Sequence, residues 1–215
     1  MLDLLLPPLC VACSRLLRLP RAPADLPLCT RCALEAVPLA EGERHHGPIT
    51  ALFAYEGPLA RAVTRLKFGG QPALAGPLAR LLARAIDPAD RWDLLIPLPL
   101  HPARAFARGY DQAALLARHL RRAWPHPAPP RLLPRALRRA RATRPQTDLD
   151  RAGRLANVAG AFIARDPSRP HLAGQRILLL DDVTTTGATL LAGRAALLAA
   201  GAAEVRGLAL LRALP

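Results

Sequence analysis

The segment that most narrows what this chain can fold into runs from Ile177 to Thr189 and reads I-L-L-L-D-D-V-T-T-T-G-A-T. Ile177 to Leu180 form a short unbroken apolar run, the pattern of a strand covered on both faces in the parallel sheet of an α/β protein. Asp181 and Asp182 stand at its C-terminal end, and Thr184, Thr185, Thr186, Gly187, Ala188 and Thr189 lead on into an Ala/Leu-rich helical pattern. Strand, loop and helix N-terminus in that order make an anion cradle. Loop amides and hydroxyls face the anion, the helix dipole favours it, and Gly187 lets the backbone come close. Ionised carboxylates only accept hydrogen bonds, so the two Asp residues suit the hydroxyls of a sugar. The segment asks for a sugar phosphate. Its plainer reading is a strand that ends in a solvated Asp-Asp turn and a Thr helix cap.

The same thirteen positions resemble the PRPP-binding loop of type I phosphoribosyltransferases: an apolar strand, two acidic residues, then a Thr/Gly loop for the 5-phosphate. The resemblance implies that Val183 to Thr189 hold the 5-phosphate and that Asp181 and Asp182 act on the ribose hydroxyls. In purine phosphoribosyltransferases the position matching Thr185 carries an Asp that serves the base, so Thr185 argues against purine salvage of that type.

The first 47 residues read as a small module of their own, with residues 48–215 as the main domain. Cys10-Val-Ala-Cys13 and Cys29-Thr-Arg-Cys32 are two C-x2-C knuckles fifteen residues apart, and they use every cysteine in the chain. That spacing suits one structural zinc held by four thiolates, with no open position for chemistry. Two disulfides or redox-active pairs are the other readings; the compartment disfavours the first, and the lack of a surrounding βαβ pattern the second.

Across the main domain strands and helices alternate, which implies right-handed crossovers and a mostly parallel sheet flanked by helices. Strands are predicted at Ile49 to Tyr55, Asp93 to Leu100, Leu132 to Leu137, Gly160 to Ile163, Arg176 to Asp182 and Val205 to Leu211. Helices are predicted from Pro58 to about Lys67, over Leu74 to Ile86, from Asp111 to about Trp124 and over Thr189 to Ala200. Residues 101–108 read as a loop whose Arg104 and Arg108 can bind a second anionic group such as a pyrophosphate. His101 in that loop is either a site residue or merely solvated. From Arg138 to Val158 apolar residues are few and arginine recurs at 138, 139, 141, 144, 151 and 154. Beside a phosphate site this reads as a lid in which Arg144 serves catalysis; the alternative is a solvated connection.

Lys67 is the one lysine among thirty Lys and Arg residues. It is either a chance survivor on a solvated helix end or a compact point charge kept for a purpose. The formal net charge of +14 permits a polyanionic partner, though the arginine-rich composition also fits general bias. The apolar N-terminus lacks a basic lead-in and is broken by Pro7 and Pro8, so neither a signal peptide nor a membrane span is expected, and the cytoplasm is the default location.

Three stretches resemble one branch, the ComF/GntX family of competence-related proteins. Arg108-Gly109-Tyr110-Asp111-Gln112 is similar to its R-G-[FY]-N-Q segment. Thr143, Gln146, Leu149, Arg154, Asn157 and Val158 match T-x2-Q-x2-L-x4-R-x2-N-V, and Asp181 to Thr189 match D-D-V-x-T-T-G-A-T. The double C-x2-C belongs to the same pattern; Asp111 departs from it, where the family has Asn. The resemblance implies a type I phosphoribosyltransferase-like domain with an N-terminal four-cysteine zinc extension and a link to natural transformation. Three roles follow: phosphoribosyl transfer from PRPP with Mg2+, binding of single-stranded DNA and competence proteins, or sensing of PRPP without turnover.

Overall fold

A computed structural model describes residues 8–17, 27–140, 160–165 and 171–214. Its main sheet is built around two long neighbouring strands, β7 (Arg176–Thr184) and β8 (Glu204–Arg212). With β1 (His45–His46), β2 (Ile49–Ala54), β3 (Leu94–Pro97) and β4 (Arg131–Leu132) they form six strands in the order β1-β2-β8-β7-β3-β4. Every pairing is parallel except β1 with β2. Two short helices, α1 (Thr30–Glu35) and α2 (Glu41–Arg44), precede the sheet in the chain. The expected class, a mostly parallel sheet flanked by helices, is what the chain forms.

Alternation along β7 divides the core. Successive side chains of a strand point to opposite faces. Leu178 and Leu180 join the cluster formed with helices α3 (Gly57–Phe68), α4 (Ala75–Ala83) and α6 (Gln112–Arg122). Ile177 and Leu179 join the cluster formed with the last helix, α7 (Ala188–Ala199). Gly193 lets α7 approach this closely: a Cβ there would stand 2.7 Å from Leu98 Cδ1 and 3.0 Å from Leu179 Cδ2. On the α7 side, β5 (Leu137–Arg139) and β6 (Phe162–Ala164) pair antiparallel as a separate two-stranded sheet.

Several elements differ from the sequence reading. Residues 101–108 contain a helix, α5 (Pro102–Arg108), rather than a loop. Pro102 opens it, the His101 side chain accepts from Ala103 N, and Gly109 ends it at φ +79°. The strand expected at Leu132 to Leu137 is split into β4 and the start of β5. β7 runs on past Asp182 to Thr184, because β8 keeps pairing with it there.

The cysteine-bearing segment packs on the main domain. Cys10, Val11, Leu28 and Cys32 share a cluster with Leu59, Ala62 and Leu66 of α3. Arg65 of α3 donates to Val11 O, Ala12 O and Ser14 Oγ at 3.4, 3.2 and 2.9 Å. Among the described residues, no helix is long and apolar enough to cross a membrane.

Candidate functional site

The crossovers that leave β3 and β7 diverge. β3 leads through α5 and α6 to β4 at one edge, while β7 leads through α7 to β8 on the other side. Open α/β sheets bind ligands at the carboxyl ends of their strands at such a switch point. Pro97 ends β3, and Leu98 N still donates to Leu180 O at 2.7 Å. Beyond it, among the described residues, β7 keeps only β8 as a partner, through Asp181 with Ala209 and Val183 with Leu211. The opening is a cleft of about 210 Å³ whose lining includes Lys67, Arg104, Gln112, Arg139, Asp181 and Asp182.

The two carboxylates have different surroundings because they sit on opposite faces of β7. Asp182 follows Leu178 and Leu180 toward α3 and α6. Its Oδ2 lies 2.7 Å from Lys67 Nζ, and its Oδ1 accepts a long 3.5 Å bond from Gln112 Nε2. Among the described residues, Oδ2 has no partner other than this ammonium. The Asp182 side chain is 2% exposed and that of Lys67 19%. Burial alone would lower the Lys67 ammonium, yet the carboxylates of Asp182 and Asp181 outweigh it and hold its pKa above the usual lysine value. Asp181 borders the cleft and is partly exposed. Its Oδ1 accepts from Asp182 N at 2.8 Å. Desolvation and the adjacent Asp182 push its carboxyl well above the ordinary carboxylate range, and Lys67 offsets only part of that.

Arginines face this acid pair. Arg104 of α5 and Arg139 of β5 both border the cleft. Burial and the nearby Arg104 lower the Arg139 guanidinium, against the pull of Asp181. The Arg139 guanidinium also covers the Phe162 ring at 5.4 Å. An anion placed between Arg104 and Arg139 would relieve their mutual repulsion.

The Thr/Gly segment forms a second, smaller compartment of about 30 Å³, bordered by Asp181, Val183, Thr184, Thr185 and Gly187 to Leu190. Gly187 is the N-cap of α7 at φ +79° and offers no side-chain cap of its own, and no acid sits in the helix's first turn. The left-handed φ favours glycine at 187, and a Cβ there would meet Ile49 Cδ1 at 2.7 Å, so the Ile49 side chain would have to shift. Thr186 lies outside the lining of this compartment and accepts from Ala188 N at 3.4 Å.

At the other end of the chain the sulfurs of Cys10, Cys13, Cys29 and Cys32 all lie within 4.8 Å of one another, and none forms a disulfide. Cys13 Sγ and Cys29 Sγ are 3.7 Å apart. A tetrahedron with zinc–sulfur bonds of ~2.3 Å has edges of about 3.8 Å, so the four thiols fit zinc. Burial works against the Cys10 thiolate, but the amides of the knuckle turns hold its pKa down at about 7.

Compared with curated proteins, the chain is 32% identical over 211 residues to DNA utilization protein YhgH of Escherichia coli O6:H1, covering 92% of this chain and 87% of that one. It is 35% identical over 142 residues to competence protein F of Haemophilus influenzae, covering 63% of this chain and 60% of that one. Competence protein ComFC of Bacillus subtilis is 28% identical over 165 residues, covering 75% and 63%. The chain belongs to the ComF family. No family model matches it. Among solved structures, a glutamine PRPP amidotransferase from Bacillus subtilis gives a TM-score of 0.41 at 21% identity, covering 63% of this chain and a quarter (25%) of that one.

Two of the three ComF stretches, Arg108 to Gln112 and Asp181 to Thr189, lie within the described residues beside the cleft. In Arg108-Gly109-Tyr110-Asp111-Gln112, only Gln112 borders it. Arg108 stacks over the Phe68 ring at 5.0 Å and donates to Gln112 Oε1. Asp111 accepts from Ala114 N at 3.0 Å and Leu100 N at 2.9 Å, so the residue that departs from the family pattern caps α6 and pins the end of the β3 loop. His101 caps α5 and is absent from the cleft lining. Arg144, with the Thr143 to Val158 segment, lies outside the described residues. Sequence reasoning places Arg139 in the arginine-rich lid expected from Arg138 to Val158, whereas Arg138 and Arg139 lie on β5. It does not assign Gln112, and it leaves Lys67 open, with its uniqueness in an arginine-rich chain as the one signal.

Proposed function

We propose that this ComF-family protein binds a ribose phosphate, with PRPP and Mg2+ as the leading candidate, in the cleft at the end of β7. The observation that carries the reading is the joining of two compartments at Asp181: an acid pair with Lys67, Arg104 and Arg139 on one side, and a glycine-dependent loop at a helix N-terminus on the other. A 5-phosphate fits the loop from Val183 to Thr189, the sugar hydroxyls face Asp181, and Arg104 and Arg139 meet the charge of a substituent on the anomeric carbon. Asp181 is a hard oxygen donor open to the cleft, which suits Mg2+ that takes one protein carboxylate and completes its shell with ligand oxygens and water. Mg2+ there would neutralise the pyrophosphate. In the transfer reaction an acceptor's lone pair attacks the anomeric carbon, the bond to pyrophosphate oxygen breaks, and its electron pair leaves with pyrophosphate. The arginines stabilise that departing charge.

A second reading, engagement of single-stranded DNA, is favoured by the names of the DNA utilization and competence relatives and by the +14 charge. Binding of that kind rests on phosphate neutralisation and falls steeply with salt. On either reading, zinc at the four cysteines is structural, and the protein acts in the cytoplasm in the handling of imported DNA.

The test is a calorimetric titration of the zinc-loaded protein with PRPP and Mg2+, beside an Asp181→Asn/Asp182→Asn variant. Saturable binding that the variant loses supports the ribose-phosphate site. No heat from the folded wild type rejects it and leaves the DNA reading, which a salt series on an oligonucleotide then decides.

A further inference from the structure

Resting on that reading of the cleft, we infer that Lys67 is a ligand-contacting residue of the site and that Asp182 is the positioning residue that holds it there. Alternation sends Asp182 toward α3 and α6, where its side chain is 2% exposed and engaged by Lys67 and Gln112. Asp181 borders both the larger cleft and the smaller loop compartment, whereas Asp182 borders only the larger one. Of the ion pair, Lys67 is the more exposed partner, at 19%, and it is part of the cleft wall.

Lys67 is also held firmly. Arg65, two residues earlier on α3, is tied to the carbonyls of Val11 and Ala12 in the first cysteine knuckle. The Tyr110 hydroxyl donates to Leu66 O. These bonds fix the last turn of α3 from both sides, so the ammonium reaches Asp182 from a rigid base. An ammonium has three protons to donate and no acceptor, and Asp182 takes only one direction of approach. A ribose phosphate with its 5-phosphate in the smaller compartment presents its ring oxygens and its anomeric substituent to the larger one. Lys67 is the cation that waits there, with Arg104 and Arg139 beside it. The two neighbouring carboxylates keep the amine protonated despite its burial, so it enters the encounter charged.

The sole lysine makes a direct test available. Full-length, zinc-loaded protein grown with lysine labelled at Cε carries a single labelled side chain, and its carbon resonance reports Lys67 alone. PRPP with Mg2+ is titrated while the resonance and the calorimetric heat are followed in parallel. The expected result is a saturable shift of the lysine signal with the same Kd as the heat. Lys67→Arg binds at least about tenfold more weakly, and Asp182→Asn moves the Lys67 titration to lower pH further than Asp181→Asn does. Heat without any movement of the lysine signal, with Lys67→Arg binding as the wild type, overturns the inference while the ribose-phosphate reading stands. An absence of both heat and shift from folded protein overturns the reading and this inference with it. Should Lys67→Arg fail to fold, the wild-type resonance still decides.

Discussion

Replacing Lys67 by methionine tests how the acid pair is kept in the core. The substitution keeps most of the side-chain volume and removes the charge that faces Asp182 at 2.7 Å. Removing one member of a buried ion pair costs about 3–5 kcal/mol, mostly the penalty of a carboxylate left without its counter-charge. Lys67 is 19% exposed and the cleft admits water, so the lower end, about 3 kcal/mol, is expected here. For a chain of this size that corresponds to a fall in Tm of roughly 6–12 °C. Urea unfolding of the zinc-loaded protein at pH 7 measures it, with an unchanged m-value to show that the same surface unfolds. Lys67→Met/Asp182→Asn should recover about 2 kcal/mol of the loss, because the neutral amide needs no counter-charge. The pH dependence has a defined sign. The pKa of Lys67 is raised in the folded state above its ordinary 10.5, so its contribution is complete below that value and is lost as pH rises through the folded value. The gap between wild type and Lys67→Met therefore closes only at strongly alkaline pH. A Lys67→Met protein within about 0.5 kcal/mol of wild type, or a double variant no better than the single one, would refute the ion-pair account.

Three further outcomes are expected. Asp181→Asn should stabilise the protein at pH 7 by about 1 kcal/mol while abolishing ribose-phosphate binding, since the site holds a carboxylate that burial and Asp182 disfavour. Asp181's raised pKa makes its ionisation unfavourable to folding, so this advantage grows as pH rises from about the ordinary 3.8 and disappears below it, as paired thermal melts would record. Gly187→Ala forces a Cβ to within 2.7 Å of Ile49 Cδ1 at a φ of +79°; a loss of about 2 kcal/mol and of phosphate binding is expected from melts and calorimetry. Elemental analysis should find one zinc per chain in the wild type and little in Cys32→Ser, and chelation should raise amide exchange in α3, which Arg65 ties to the first knuckle.

The layout of the fold was legible because its signals are local. The apolar run of Ile177 to Leu180, and the recurrence of Leu59, Val63 and Leu66, identify a buried strand and a core-facing helix, and both elements form. The errors arose where tertiary partners override local pattern. Asp181 and Asp182 read as the end of a strand because acids are rare inside one, yet β8 extends the ladder through them to Thr184. Residues 101–108 read as a loop because Pro102 and three polar residues break the apolar period. Pro102 instead serves as the first helical residue of α5, a helix with no buried residue and hence no periodicity to detect.

The candidate site was legible in its contiguous part and obscure in the rest, for a geometric reason. Thirteen successive residues can be read as strand, acid pair and anion loop because each is defined relative to its neighbours along the chain. The roles of Lys67, Gln112 and Arg139 depend on which face of β7 each approaches, and that is set by the packing of three separate elements. Arg108 illustrates the difference. By sequence it is equivalent to Arg104 as a cation beside the phosphate site, but four residues along α5 separate a side chain in the cleft wall from one that stacks on Phe68. Strand alternation had an equally local signature and a consequence that only the fold exposes. It gives adjacent carboxylates opposite environments, one buried against the chain's single lysine and one open to the cleft, so a pair that reads as symmetrical in sequence has unequal surroundings.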